Sequence, residues 1–218
     1  MNKINVLLAD DHTIVRKGLR ALLETEETIE VLDEAEDGRE ALKKTQKLLP
    51  DVVVMDIAMP GLNGLEATRQ IKKQFPAIKV LILSMHTTKE YIFQTLRAGA
   101  SGYLVKKAAP RDLVSAIQAV SRGESFLSPT ISATVIEEYI RGAEKTVKEE
   151  DPFEILTNRE REVLQLIAEG NSIRKIAENI NVSPKTVEVH RSHIMEKLDI
   201  HNTPELTKYA IQKGITSL

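Results

Sequence analysis

Cysteine and tryptophan are both absent from this 218-residue sequence, and the aromatic residues are four Tyr and four Phe. Without cysteine there is no disulfide, no thiol nucleophile and no cysteine-ligated zinc. So few aromatics count against binding single-stranded nucleic acid by base stacking. Long apolar runs are missing too: the longest are strand-sized, well below the roughly 20 residues that span a bilayer. The start, Met1-Asn-Lys-Ile-Asn, enters an apolar run without signal-peptide architecture, so a cytoplasmic protein is the expectation. Neither sign of charge dominates. With a net charge of −2, any contact to nucleic acid must come from a local patch rather than a global field. What remains is ordinary for a globular chain, 42% hydrophobic and 28% charged, long enough for one large domain or two small ones.

The first half alternates between two periods. Ile4–Ala9 is a short apolar strand ending in Asp10-Asp11, and a helical pattern follows from about His12 to Thr25 with Val15, Leu19 and Leu22 on one face. Val31–Ala35 is a second strand, followed by a helix opened by Asp37-Gly38 and ended by Pro50. Val52–Met55 is apolar throughout, as a strand buried on both faces must be, and runs into Asp56 and then the turn-forming Pro60-Gly61. A third helix follows Leu62-Asn63-Gly64. The fourth strand, Val80–Leu83, reaches Ser84; a helix covers about Lys89–Ala98; the fifth strand, Tyr103–Val105, ends at Lys106-Lys107; and a fifth helix starts at Pro110. Five strand–helix alternations with short connections predict an α/β fold, a doubly wound parallel sheet of order 2-1-3-4-5. In that order strands one and three are neighbours. Asp10, Asp11 and Asp56 then converge at one rim, joined by Ser84 and Lys106 from strands four and five.

Three carboxylates so close repel one another. At an effective dielectric near 20, two unit charges about 4 Å apart cost about 4 kcal/mol. Either some of the acids are neutral or a cation sits among them. A hard divalent ion, Mg²⁺, suits one or two carboxylates with waters and phosphate oxygens. Lys106 and the Ser84 hydroxyl suit a phosphoryl group's peripheral oxygens, and Asp56 could attack phosphorus to form an acyl phosphate.

Beyond residue 122 the character changes. Ser128-Pro129 starts a helix to about Ile140 with Ile131, Val135 and Ile136 on an apolar side, and the charged Arg141–Pro152 reads as a flexible linker. From Phe153 the pattern is all-helical. Thr157 and Glu160 form a capping box, and Gly170 stops that helix. A second helix begins at Ser172; Asn181-Val-Ser183-Pro184 is a tight turn; a third helix runs to about Leu198, and a fourth carries Leu206 and Tyr209. A helix behind so sharp a turn suits the second helix of a helix-turn-helix. On its wheel Val187, Ile194 and Leu198 face inward with His190 and Arg191 at the shoulders. Lys185, Val189, Ser192 and Glu196 face outward. Lys185 suits a phosphate or a guanine, and Val189 a thymine methyl. Charge alone is a weak argument for DNA, since residues 157–198 carry 7 Lys/Arg against 6 Asp/Glu.

Asp10-Asp11, Asp56, Ser84 and Lys106 resemble, in order and at matching strand ends, the five-residue set of response-regulator receiver domains over about residues 4–122. That resemblance implies Asp56 as phospho-acceptor and Mg²⁺ held by Asp11, Asp56 and the Ala58 carbonyl, with Asp10 acting through water. It also implies Ser84 and Tyr103 as the switch pair and Lys106 as the phosphoryl-binding lysine. Lys107 stands where many receivers have proline, so a cis bond there is not expected. Leu156-Thr-Asn-Arg-Glu-Arg-Glu-Val-Leu164, Ile176-Ala177, Ser183-Pro-Lys-Thr-Val187, His190 and Lys197-Leu198 resemble the LuxR-type helix-turn-helix. Together the two halves resemble the NarL/FixJ family of two-component transcription factors. The implied organisation is a flavodoxin-like receiver (1–122), a helical and charged linker (123–152) and a four-helix DNA-binding domain (153–218). DNA-contacting positions would be Lys185, Thr186, Glu188, Val189, Arg191, Ser192 and Lys197; Leu206 and Tyr209 would lie in a dimer contact. A sensor histidine kinase and double-stranded promoter DNA are the implied partners, and a homodimer the implied phosphorylated state. Thr203-Pro204 departs from the Arg-Thr often found at the start of the last helix. Two other readings share these residues: a Mg²⁺-dependent phosphohydrolase with Asp56 as nucleophile, and an adaptor whose helical tail binds protein.

Overall fold

The computed structural model describes residues 3–143 and 152–216. The chain divides into two compact units, residues 1–144 and 145–218. Of the expected linker 141–152, residues 144–151 lie outside the described residues.

In the first unit β1 (Ile4–Ala9), α1 (Thr13–Glu24), β2 (Ile29–Ala35), α2 (Gly38–Leu48), β3 (Val52–Met55), α3 (Gly64–Gln74), β4 (Lys79–Ser84), α4 (Lys89–Arg97), β5 (Gly102–Val105) and α5 (Ala109–Ser121) alternate as the two periods predict. Every pairing is parallel. The order is β2-β1-β3-β4-β5-β6, where β6 is Phe126–Leu127 and α6 (Pro129–Ala143) follows it. The expectation of five strands is therefore corrected to six. A two-residue strand leaves no periodicity to read; Phe126 and Leu127 become a strand only because β5 offers an open edge opposite Gly102 and Tyr103.

Helices cover both faces of the sheet, so β3 is buried along its whole length, and its neighbours build two apolar layers, one with Leu7, Val53, Ile82 and Tyr103 and one with Leu8, Val54, Leu83 and Leu104. Asp37 caps α2 by accepting from the amides of Arg39 and Glu40, and Asn63 caps α3 by accepting from that of Glu66. On α6, Ile131 is buried and Val135 packs beside it, but Ile136 is exposed.

The second unit holds α7 (Asn158–Ala168), α8 (Ile173–Asn179), α9 (Pro184–Leu198) and α10 (Thr203–Gln212), preceded by a 3₁₀ turn at Pro152–Ile155. The capping box of α7 is complete, and Gly170 leaves the helix with φ +80°. Ser183 caps α9 with Pro184 in its first turn, and Asn202 caps α10. Among the described residues no peptide bond is cis, and no helix is long and apolar enough to cross a membrane.

Candidate functional site

The sheet order does what it must for the acids to meet. Ala9 pairs with Met55 in the β1–β3 ladder, so Asp10 and Asp56 leave adjacent strands at the same level, and the Asp56 amide donates to the Ala9 carbonyl at 2.8 Å. Both carboxyl groups are buried, and Lys106, just past β5, reaches Oδ2 of each at 2.7 Å. Asp56 Oδ1 accepts the Ile57 amide at 2.8 Å. His12, at the N-cap of α1, places Nδ1 2.8 Å from Asp11 Oδ1 and 3.2 Å from Asp10 Oδ1. Ligand atoms of Asp10, Asp11, His12 and Asp56 lie within 4.8 Å of one another.

One cation serves two buried carboxylates, and the balance differs at each partner. Burial pushes the Asp56 carboxyl up; Lys106 pulls it down, Asp10 adds to the rise, and the net result lies above the usual carboxylate range. Burial works against the Lys106 ammonium, but Asp10 and Asp56 outweigh it and hold it above the ordinary lysine value. Pairing wins at Lys106, which has two acids, while burial wins at Asp56, which shares its one lysine. Asp10 Oδ2 and Asp11 Oδ1 are buried, the first facing the Lys106 ammonium at 2.7 Å and the second His12 Nδ1 at 2.8 Å. Oxygens so placed suit a hard divalent cation.

The backbone around the pocket leaves no slack. A Cβ on Gly64 would sit 1.8 Å from the Asp56 carbonyl oxygen, so only glycine lets α3 start against the end of β3. Ala58 is an exposed residue of the otherwise largely buried loop between them. Ser84 is buried, its Oγ accepting the His86 amide at 3.1 Å. Tyr103 is fully buried, its hydroxyl donating to the His86 carbonyl at 2.7 Å while the His86 ring stacks on Tyr91 at 4.3 Å. Burial also pushes the Tyr103 phenol well above its usual range. His12 escaped the sequence reading; its position beside the acid pair, where a helix begins, was the available signal.

In the second unit α8 packs on α9, and the turn between them passes through Asn181 at φ +53°. Lys185, Glu188, Val189 and Ser192 are exposed on α9, Val189 at 45%, whereas Thr186 and Arg191 are half-buried. The Thr186 hydroxyl meets Ser183 Oγ at 2.8 Å, which makes it part of the cap. Two expected contacts find other employment. Lys197 donates to both Glu160 carboxyl oxygens, at 2.7 and 2.9 Å, and this pair ties α9 to the capping box of α7. Leu206 is fully buried in the core of its own domain and has no surface to offer a dimer partner; Tyr209 is half-buried with the Lys213 ammonium 5.7 Å from its ring centre.

Residues 6–118 match the model of the response regulator receiver domain, and residues 154–210 that of the bacterial regulatory proteins of the luxR family. The oxygen regulatory protein NreC of Staphylococcus carnosus is 42% identical over 214 residues, which cover 97% of this chain and 99% of that protein. Among solved structures, the RcsB response regulator of Salmonella typhimurium is 32% identical with a TM-score of 0.59, covering 96% of this chain and 98% of its own. A structure of two RcsB dimers bound to two parallel DNAs is 31% identical with a TM-score of 0.58, covering 95% and 98%.

Proposed function

This chain belongs to the response regulators that join a receiver domain to a LuxR-type DNA-binding domain, and from that membership we propose that phosphorylation of Asp56 by a sensor histidine kinase switches its binding to promoter DNA. It is a transcription regulator rather than an enzyme. The observation that carries the site assignment is Lys106, whose single ammonium bridges Asp10 and Asp56 at the rim of the sheet.

The carboxylate of Asp56 is the nucleophile: its oxygen forms the bond to phosphorus as the donor's P–N bond breaks, and the electron pair returns to the donor imidazole. Burial and the neighbouring Asp10 oppose the charge this attack needs; Lys106 supports it. Asp11 and Asp56, with the Ala58 carbonyl and Asp10 through water, suit Mg²⁺, which when bound neutralises charge on the phosphoryl oxygens. Ser84 and Lys106 are then drawn to the new group, and Tyr103, now held by the His86 carbonyl, is the aromatic half of the switch. Inverting a 1:99 equilibrium between two arrangements takes about 5.5 kcal/mol of differential stabilisation.

Receiver function is assigned to residues 1–122, linked through 123–152 to DNA binding by 153–218. Lys185, Val189, Ser192 and Glu188 on the exposed face of α9 enter the major groove, with Thr186 and Arg191 at its edge. The RcsB dimers on DNA support a homodimeric bound form, with two recognition helices about one helical turn apart, and Tyr209 is the residue of the last helix left for that contact. The assembly works in the cytoplasm, where kinase and promoter are.

The test is binding of the full chain to duplex DNA, with and without a small acyl-phosphate donor and Mg²⁺, over a range of salt. Phosphorylation should raise the affinity, and the affinity should fall with salt as phosphate contacts require. Equal affinity in both states would remove the switch; affinity indifferent to salt would remove DNA as the partner.

A further inference from the structure

A buried guanidinium lies beside the acid pocket, and the phosphoryl chemistry makes no use of it. Arg16 projects from α1 with its side chain 4% exposed, a place a permanent cation occupies only when paired. Its Nη1 donates to the carbonyl oxygen of Asp10 at 2.6 Å, its Nη2 to Glu36 Oε1 at 2.6 Å and its Nε to Glu34 Oε2 at 3.3 Å. The acceptor on the pocket side belongs to the Asp10–Asp11 peptide. That unit is planar, so holding its oxygen sets the direction in which both residues leave it. The other two acceptors stand at the end of β2 and just beyond it, where the Asp10 amide also donates to the Ala35 carbonyl at 3.1 Å.

We propose that Arg16 is a positioning residue: it ties the Asp10–Asp11 peptide to Glu34 and Glu36 and so presents both carboxylates to the divalent cation. The inference rests on the acid pocket being the cation site. Arg16 acts through geometry rather than field, since the charges of Glu34 and Glu36 offset its own. Arginine suits the place because the rigid planar fork presents three separate nitrogens, Nε, Nη1 and Nη2, one to each acceptor, whereas a lysine would bring all its donors on one nitrogen. Losing it also leaves no buried carboxylate stranded. Glu34 keeps Lys17 at 3.3 Å and Arg20 at 2.5 Å, and Glu36 is 69% exposed.

The experiment titrates Mg²⁺ into the full chain by calorimetry and follows phosphorylation by a small acyl-phosphate donor as Mg²⁺ is varied. Arg16→Met should weaken Mg²⁺ binding about tenfold or more, the size of effect seen when a partner that orients a metal ligand is removed. Its phosphorylation rate at saturating Mg²⁺ should stay within about twofold of wild type, because what is lost is binding and not the chemical step. Arg16→Lys should fall between the two, and it carries the test if Arg16→Met does not fold. Arg20→Gln removes a cation from the same network without touching Asp10, and should bind Mg²⁺ as wild type does. Wild-type Mg²⁺ affinity in both Arg16 variants would overturn the inference, as would equal weakening by Arg20→Gln, which would mark a general loss of stability. Absence of Mg²⁺ binding by the wild-type chain would instead overturn the cation site, and this inference with it.

Discussion

Replacing Lys197 with Met keeps most of the side chain's bulk and removes its charge, which separates two roles for one residue. In the structure its ammonium lies 2.7 and 2.9 Å from the two oxygens of Glu160, a carboxylate 4% exposed, and 3.4 Å from the Ile155 carbonyl. Breaking a buried ion pair costs about 3–5 kcal/mol, but the Lys197 side chain is 34% exposed and Glu160 keeps the Thr157 amide, so the cost scales down to about 2 kcal/mol. For a unit of this size that lowers the melting temperature by about 8–16 °C. Hydrogen-exchange mass spectrometry of the full chain, read on peptides from α7 and α9, should show protection falling roughly 30-fold, since 1.4 kcal/mol is a factor of ten. Burial pushes the Glu160 carboxyl up, but Lys197 and Thr157 outweigh it and hold it below the usual range. The pair's contribution is therefore present above about pH 4.5 and lost as pH falls through the lowered folded value, so wild type and variant should converge in acid. Below the variant's melting temperature, the slope of log affinity for DNA against log salt should not change. A slope reduced by about 0.9, with exchange unaffected, would refute this and make Lys197 a phosphate ligand.

Leu206→Ala should destabilise the second unit by about 2–5 kcal/mol in a denaturant titration, because it opens a cavity in a closed core; loss of dimerisation at wild-type stability would contradict the buried placement. Gly64→Ala should abolish phosphoryl acceptance, since the added methyl would lie 1.8 Å from the Asp56 carbonyl oxygen and α3 must move; wild-type labelling would show that the loop yields easily. Without divalent cations, Asp56→Asn should melt at a higher temperature than wild type at neutral pH. The raised Asp56 carboxyl costs stability as pH rises from its unfolded value through the folded one, so the gain should vanish below about pH 4. A variant less stable at every pH would mean that the lost bond to Lys106 outweighs the relieved charge.

The acid rim is legible in the sequence because each of its members follows an apolar run: Asp10 after Ile4–Ala9, Asp56 after Val52–Met55, Ser84 after Val80–Leu83 and Lys106 after Tyr103–Val105. Strand order then brings them together, and the order follows from short connections and one handedness of crossover. Arg16 was not legible. The periodicity of α1 assigns its apolar face to Val15, Leu19 and Leu22, whereas Arg16 is drawn in by acceptors on and beyond β1 and β2. Lys197 looked free because Glu160 lies 37 positions away, a separation no helical wheel covers. Leu206 and Tyr209 share a helix, and the i, i+3 spacing that puts both near one face does not say that the core of the same domain takes the first of them.

The most direct test of the account is covalent. Wild-type chain treated with a phosphorylated histidine kinase or a small acyl-phosphate donor in Mg²⁺ should gain one phosphoryl group on the peptide that contains Asp56. That group should be released by hydroxylamine as an acyl phosphate is, and Asp56→Asn should gain none. Undiminished labelling of Asp56→Asn, or label carried on another peptide of the wild-type chain, would contradict the assignment of Asp56 as the residue on which the signal is written.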